Sequence, residues 1–154
     1  MIEVPTYSQR NPLWRDKKLG FSTKTIGAYG CTITCLASFL SKIYNEKITP
    51  DMVNDNLKKA NAFSGALVIW YRVPYAYPKL KWIKRGYNYS NIEVANYVYI
   101  KKTPVMVEVN AASIGSARHW VLYLGQAKCM DPWRGQIIPT STYPPTGYAL
   151  YQIV

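Results

Sequence analysis

With three cysteines, one histidine and 8 acidic residues in the whole chain, nucleophilic or acid–base chemistry has few side chains to draw on. Cys31 stands in the stretch AYGCTITCLASFL, directly after a glycine and directly before an apolar run. From there Ile33, Leu36, Ala37, Leu40, Ile43 and Tyr44 recur at helical spacing and predict a central helix of about 13 residues. Cys31 then sits at the N-terminal mouth of that helix, where free N–H groups and the positive end of the dipole favour an anion. A sulfur nucleophile at neutral pH needs such a place, because the thiolate is the reactive form. Cys31, Thr34, Cys35 and Ser38 fall at i, i+3, i+4 and i+7, on the face turned away from the aliphatic stripe. The competing reading is that Cys31 is a small buried packing residue, as most free cysteines are.

A thiol nucleophile needs a base, and His119 is the one side chain whose unperturbed titration lies near neutrality. It opens the run HWVLYLG, in which Trp120, Leu122 and Leu124 alternate with His119, Val121 and Tyr123, a strand pattern. With a tight turn at Gly125-Gln126 and a short strand from Ala127 to Asp131, His119 stands about six residues before the turn and Asp131 about six after it. Opposed residues of a hairpin share a face, so the Asp131 carboxylate is expected beside the imidazole, fixing its tautomer. Set against this, a lone histidine on a strand is commonly a packing residue and an Asp-Pro pair a turn. A second rival uses the same atoms: Cys31, Cys35, Cys129 and His119 compose a Cys₃His zinc set. Its spacing, C-x3-C with H-x9-C and no paired C-x2-C knuckle, disfavours it.

The elements that must hold these groups follow from the pattern on either side. Residues 1–30 read as an extended or looped lead-in, broken by Pro5, Pro12, Gly20, Gly27 and Gly30. Thr49-Pro50-Asp51 announces a second helix, with an N-cap, a proline at the first helical position and an acid in the first turn, and with Val53, Leu57 and Ala60 facing inward. ALVIWY, near residue 70, suits either a short helix or a strand. A strand is expected around Leu80 to Ile83, a helix over 91–101, and a strand at VMVEV after Pro104. Helices first and sheet later predict an α+β domain. No internal repeat, low-complexity tract or Gly/Ser linker divides the 154 residues, so one domain spanning 1–154 is expected.

The formal net charge is +11, from 19 Lys and Arg against 8 Asp and Glu. Such a charge favours anionic surroundings in general. The basic residues come in scattered pairs (Lys17-Lys18, Lys58-Lys59, Lys84-Arg85, Lys101-Lys102) rather than in a stripe, which argues against a specific nucleic-acid surface. No apolar stretch approaches the roughly 18 residues of a spanning helix, and MIEVPTYSQRNPLW lacks the layout of a secretory signal. The cysteine count is odd and low, unlike a disulfide-stapled scaffold.

The blocks YSQRNPLW, TIGAYGCTITCLASFL, KKTPVMVEV, HWVLYLG and MDPWRG follow one another over residues 7 to 135. Together they resemble the papain-superfamily cysteine peptidases of the bacteriocin-leader-peptidase-like branch, including versions in bacterial and phage-encoded cell-wall or tail proteins. The resemblance implies a papain-like fold, with the Cys-bearing helix packed on an antiparallel sheet that carries the His and Asp. It implies Cys31 as nucleophile, His119 as base, Asp131 as its orienting acid and Gln9 as a donor to the oxyanion, with no cofactor. Thr32-Ile33-Thr34 departs from the small or proline-containing turn frequent in that family, which bears on substrate fit. A peptidoglycan endopeptidase of phage lysis or tail-associated type is expected. It would be made in the cytoplasm, delivered to the wall by another route, and act as a monomer on peptide or peptidoglycan, with an anionic wall polymer as a further partner. An intracellular leader or maturation protease, or a non-catalytic module binding such a polymer, are the alternatives. Trp14, Tyr29, Trp120 and Trp133 are expected to line the substrate cleft, with Trp70 and Trp82 as further candidates, although aromatic residues are more often packing.

Overall fold

The computed structural model describes all 154 residues, Met1–Val154. Where the prolines and glycines of residues 1–30 lead one to expect only extended or looped chain, Thr25 caps a single helical turn, α1 (Ile26–Tyr29), its hydroxyl accepting from the Ala28 N–H. Four residues carry too little periodicity to be read in advance. Gly30 joins α1 to α2 (Cys31–Tyr44), and a Cβ at residue 30 would lie 2.5 Å from the Ile26 carbonyl oxygen. Only glycine lets the two helices abut. α2 stops at Asn45, whose left-handed backbone (φ 52°) returns its N–H to the Ser41 carbonyl, a residue type that tolerates this conformation. α3 (Pro50–Lys59) begins where Thr49-Pro50-Asp51 announced it, with Val53 and Leu57 buried. Thr49 occupies the capping position, but its hydroxyl donates to the Asp51 carboxylate and caps no N–H.

The ambiguous ALVIWY divides. Its first half pairs Phe63–Ser64 (β1) with Leu67–Val68 (β2) in a two-stranded hairpin, and its second half winds into a 3₁₀ turn, Trp70–Arg72, leading to α4 (Val73–Ala76). The expected strand near residue 80 runs on through β3 (Leu80–Gly86), and the expected helix over 91–101 is α5 (Asn91–Ala95) followed by a π turn, Asn96–Ile100. The rest is β4 (Val105–Ala111), β5 (Ser116–Gly125), β6 (Lys128–Asp131), β7 (Gln136–Pro139) and β8 (Pro145–Ile153). Six strands form one antiparallel sheet in the order β3-β8-β4-β5-β6-β7. Helices packed on an antiparallel sheet make this an α+β fold, as the element order implied.

Both faces of the sheet are covered. Met106, Trp120, Leu122, Leu124, Met130 and Tyr151 face the helices and pack with Leu36, Phe39 and Leu40 of α2 and with Leu57 of α3. Val105, Val107, Val121 and Leu150 face the other way, onto Val94 and Val98 of the α5 segment. Each such fully buried side chain is worth about 1.5–3 kcal/mol. The Thr34–Cys35–Ser38 face of α2, turned away from the aliphatic stripe, is fully buried as well. α2 lies between α3 and β5, so neither of its faces is free, and its small polar side chains let it approach the sheet closely. Cys35 Sγ donates to the Trp120 carbonyl at 3.4 Å, and Thr34 Oγ1 to the Gly30 carbonyl at 2.8 Å. No helix is long and apolar enough to cross a membrane.

Candidate active site

Cys31 is the first residue of α2 and is partly exposed. The first N–H of α2 with an intrahelical acceptor is that of Thr34, bonded to the Gly30 carbonyl at 3.1 Å. The N–H groups of Cys31, Thr32 and Ile33 have none, so the start of α2 offers donors beside the sulfur, as helix N-termini do. Cys35 and Cys129 are different. Burial pushes the Cys35 thiol well above its ordinary value, and burial with the nearby Asp131 pushes Cys129 up to about 12. Both stay protonated and inert at neutral pH.

His119 is 4% exposed, and its Nε2 lies 2.8 Å from Asp131 Oδ1. The pairing differs from the direct opposition expected. A bulge between Tyr123 and Gly125 moves the turn onto Gln126-Ala127, and the register Leu122↔Met130 continues to place Val121, not His119, across from Asp131. His119 stands two residues farther along on the same face, within diagonal reach. Beyond the last β5–β6 pair that flank of β5 opens onto the cleft, and His119 and Cys31 line the cleft together. With Nε2 committed to Asp131, Nδ1 is the nitrogen left for the sulfur.

Burial acts to lower the His119 pKa, but the hydrogen bond it donates to Asp131, the contact with Cys31 and the charges of both outweigh it and raise the value to about 9. Burial likewise acts to raise Asp131. It is outweighed by hydrogen bonds from His119, from the Tyr143 hydroxyl to Oδ2 (2.8 Å) and from the Trp133 N–H to Oδ1 (3.0 Å), so the carboxyl is held below its ordinary range. The buried carboxylate thus meets the two conditions for burying a charge, a counter-charge and saturated lone pairs.

Gln9 is brought in by a clasp between two loops. Its N–H donates to the Pro132 carbonyl at 2.8 Å, and Arg10 Nε donates to the Trp133 carbonyl at 2.9 Å. Gly135, at φ 66°, packs against Ser8 so closely that a Cβ would lie 2.8 Å from Ser8 Cβ. The Asp131–Gly135 turn and residues 8–10 therefore position each other. Gln9 is 2% exposed, Nε2 donates one hydrogen to the Gly27 carbonyl (3.1 Å), and Oε1 has no hydrogen-bond partner.

Gln9, Cys31 and His119 line one cleft of about 500 Å³. Tyr29, Trp120 and Trp133 line it too. Trp14 does not. It is 5% exposed, edge-on to Tyr7, with its indole N–H bonded to the Ser8 carbonyl, so it supports the Gln9 loop from behind. Trp70 and Trp82 also stay outside, stacked on each other and against Tyr151. The rival zinc set is not assembled: no three His, Cys, Asp or Glu side chains come together in ligating geometry. Cys35 and Cys129 are buried in the cores on opposite faces of the sheet. The sequence reading missed Tyr143, the second support of Asp131, and the β1–β2 hairpin, whose Leu67 and Val68 form part of the cleft wall. Neither has a spacing signal, since each meets the site only through long-range contacts. Comparison with protein-family models, with curated proteins and with solved structures yields no match.

Proposed function

We propose that the chain is a papain-like cysteine peptidase that cleaves amide bonds through Cys31, His119 and Asp131, acting on peptidoglycan peptides. The observation that carries this reading is the buried His119–Asp131 pair at 2.8 Å, with the other imidazole nitrogen left to Cys31 in an open cleft. The likeness of the blocks from YSQRNPLW to MDPWRG to the papain superfamily supports the same assignment.

In the proposed cycle the Cys31 thiolate attacks the scissile carbonyl carbon, and the carbonyl oxygen takes the negative charge. The Cys31 N–H, without an intrahelical acceptor, and the second hydrogen of Gln9 Nε2 stabilise that oxyanion. His119 enters as imidazolium, the form its raised pKa favours, and gives its proton to the leaving amine as the C–N bond breaks. Water then attacks the thioester while His119 takes a proton, and release of the acid restores the thiolate. Asp131 keeps the imidazole in one orientation and stabilises its charge without leaving the carboxylate form.

The test is incubation of the protein with purified wall peptides and with denatured protein, followed by identification of new termini by mass spectrometry. Cleavage of wall peptides that disappears in Cys31→Ala and His119→Ala supports the reading. Cleavage only of denatured protein moves the substrate to intracellular polypeptides, and no Cys31-dependent cleavage of either contradicts it.

A further inference from the structure

The charges around the cleft point to the kind of peptide it takes, an inference that rests on the peptidase reading above. Glu108 is the only acid lining the cleft. Its carboxylate is 3.1 Å from Arg85 Nη2, both side chains being about one-seventh exposed, and the same guanidinium lies 4.8 Å over the ring of Trp120. The one carboxylate that lines the cleft is thereby neutralised in place. The positive charges have no such partners. Arg118 lines the cleft, exposed, with no carboxylate within ion-pair distance. Lys24 Nζ sits 4.6 Å over Tyr29, and Arg10 Cζ sits 4.1 Å over Trp133. Neither belongs to an ion pair.

These cations come from three separate segments and converge on one opening. Two of them rest on aromatic rings, Tyr29 and Trp133, that are themselves cleft walls. Stacking on a ring orients a long basic side chain and leaves its outer N–H donors free. A peptide in the cleft thus meets aromatic walls with unpaired cations beside them. We propose that the cleft selects acidic peptides, those carrying carboxylates near the scissile bond. A low-dielectric cleft with one sign of charge concentrates substrates of the opposite sign and does so less as salt rises.

The experiment uses fluorescein-labelled peptide pairs with the same scissile bond, one with Asp or Glu at the flanking positions and one with Asn or Gln. Binding to the Cys31→Ala protein is read by anisotropy, and kcat/KM is measured on the intact enzyme, from low to high NaCl. Each exposed charge pair typically contributes about twofold to fivefold in affinity, so the acidic peptide is expected to bind about tenfold more tightly at low salt. The advantage should appear in KM rather than kcat and shrink as salt is added. In the Lys24→Gln/Arg118→Gln double variant the acidic-to-neutral ratio should drop at least threefold, with circular dichroism unchanged. Equal binding of the two peptides, or a preference untouched by the double variant, overturns the proposal. So does tighter binding of inorganic polyphosphate than of the acidic peptide through the same two cations, which would assign them to a polymer. Because binding is read on Cys31→Ala, an acidic preference without any cleavage by the intact protein would preserve the charge inference while the peptidase reading fails.

Discussion

Two hollows of similar size open on the molecule, and only one gathers groups suited to chemistry. The cleft at the start of α2 measures about 500 Å³. The other, about 560 Å³, lies between the α5 segment and the β5–β6 turn and is walled by Tyr89, Val98, Tyr99 and Tyr123. It contains no histidine, cysteine or carboxylate, and burial holds the Tyr123 hydroxyl protonated. In the cleft, burial is opposed by a partner for each buried charge. Asp131 is saturated by three donors, and His119 keeps its proton to about pH 9. Cavity size does not separate the two regions. What separates them is a set of buried ionisable groups with shifted pKa values converging on one opening.

Substitutions can break or sharpen this contrast. The largest effect is expected from Cys31→Ala and His119→Ala, each lowering turnover at least about 10³-fold with circular dichroism unchanged. Asp131→Asn removes the counter-charge and should lower kcat about 10²-fold to 10⁴-fold. Tyr143→Phe removes one donor from Asp131 and leaves the aromatic packing. A loss of about 3-fold to 30-fold in kcat with KM unchanged is expected. Because the carboxylate is then less stabilised, the acid limb of the pH–rate profile should move to higher pH. In the other hollow, Tyr99→Ala should leave turnover within about twofold, and a larger loss would erase the distinction between the two regions.

The pH dependence of stability has the same origin. His119 has its pKa raised in the folded state, so the stability it contributes is full below pH 6.5, its ordinary value, and is lost as pH climbs through about 9. Asp131 has its pKa lowered, so its contribution is present above its ordinary value of 3.8 and is lost as pH falls through its folded value. Thermal unfolding from pH 5 to 10 should therefore show a decline between pH 6.5 and about 9 that His119→Gln abolishes. If proton donation by His119 limits the reaction, activity should fall over the same alkaline range. Gly30→Ala should cost about 2–4 kcal/mol, because its Cβ would press on the Ile26 carbonyl, and should loosen the position of Cys31 with it.

What could be read ahead of the structure follows a physical division. α2, α3, β4 and β5 carry repeated apolar spacing, and those residues are the ones that pack, while β6 follows from the turn before it. Cys31, His119 and Asp131 were therefore within reach of reasoning, since one starts a helix and the other two share a hairpin. The register was not, because the bulge beside Tyr123 shifts the turn by one residue without marking the sequence. α1 and the π turn are too short to show a period. Gln9 reaches the site through the clasp with the Asp131–Gly135 turn, a contact between distant segments that only the resemblance pointed to. Trp14 shows the converse: its aromatic side chain suggested a cleft wall, yet it is buried with its indole N–H on the Ser8 carbonyl.

The most direct test of the account is the rate at which iodoacetamide alkylates each cysteine at pH 7, resolved by peptide mapping, in the native protein and in His119→Ala. The account predicts that Cys31 reacts faster than an unstructured cysteine peptide, that Cys35 and Cys129 remain unlabelled until the protein unfolds, and that loss of the imidazole slows Cys31 at least tenfold. A Cys31 that reacts no faster than the free peptide and is indifferent to His119 would contradict it.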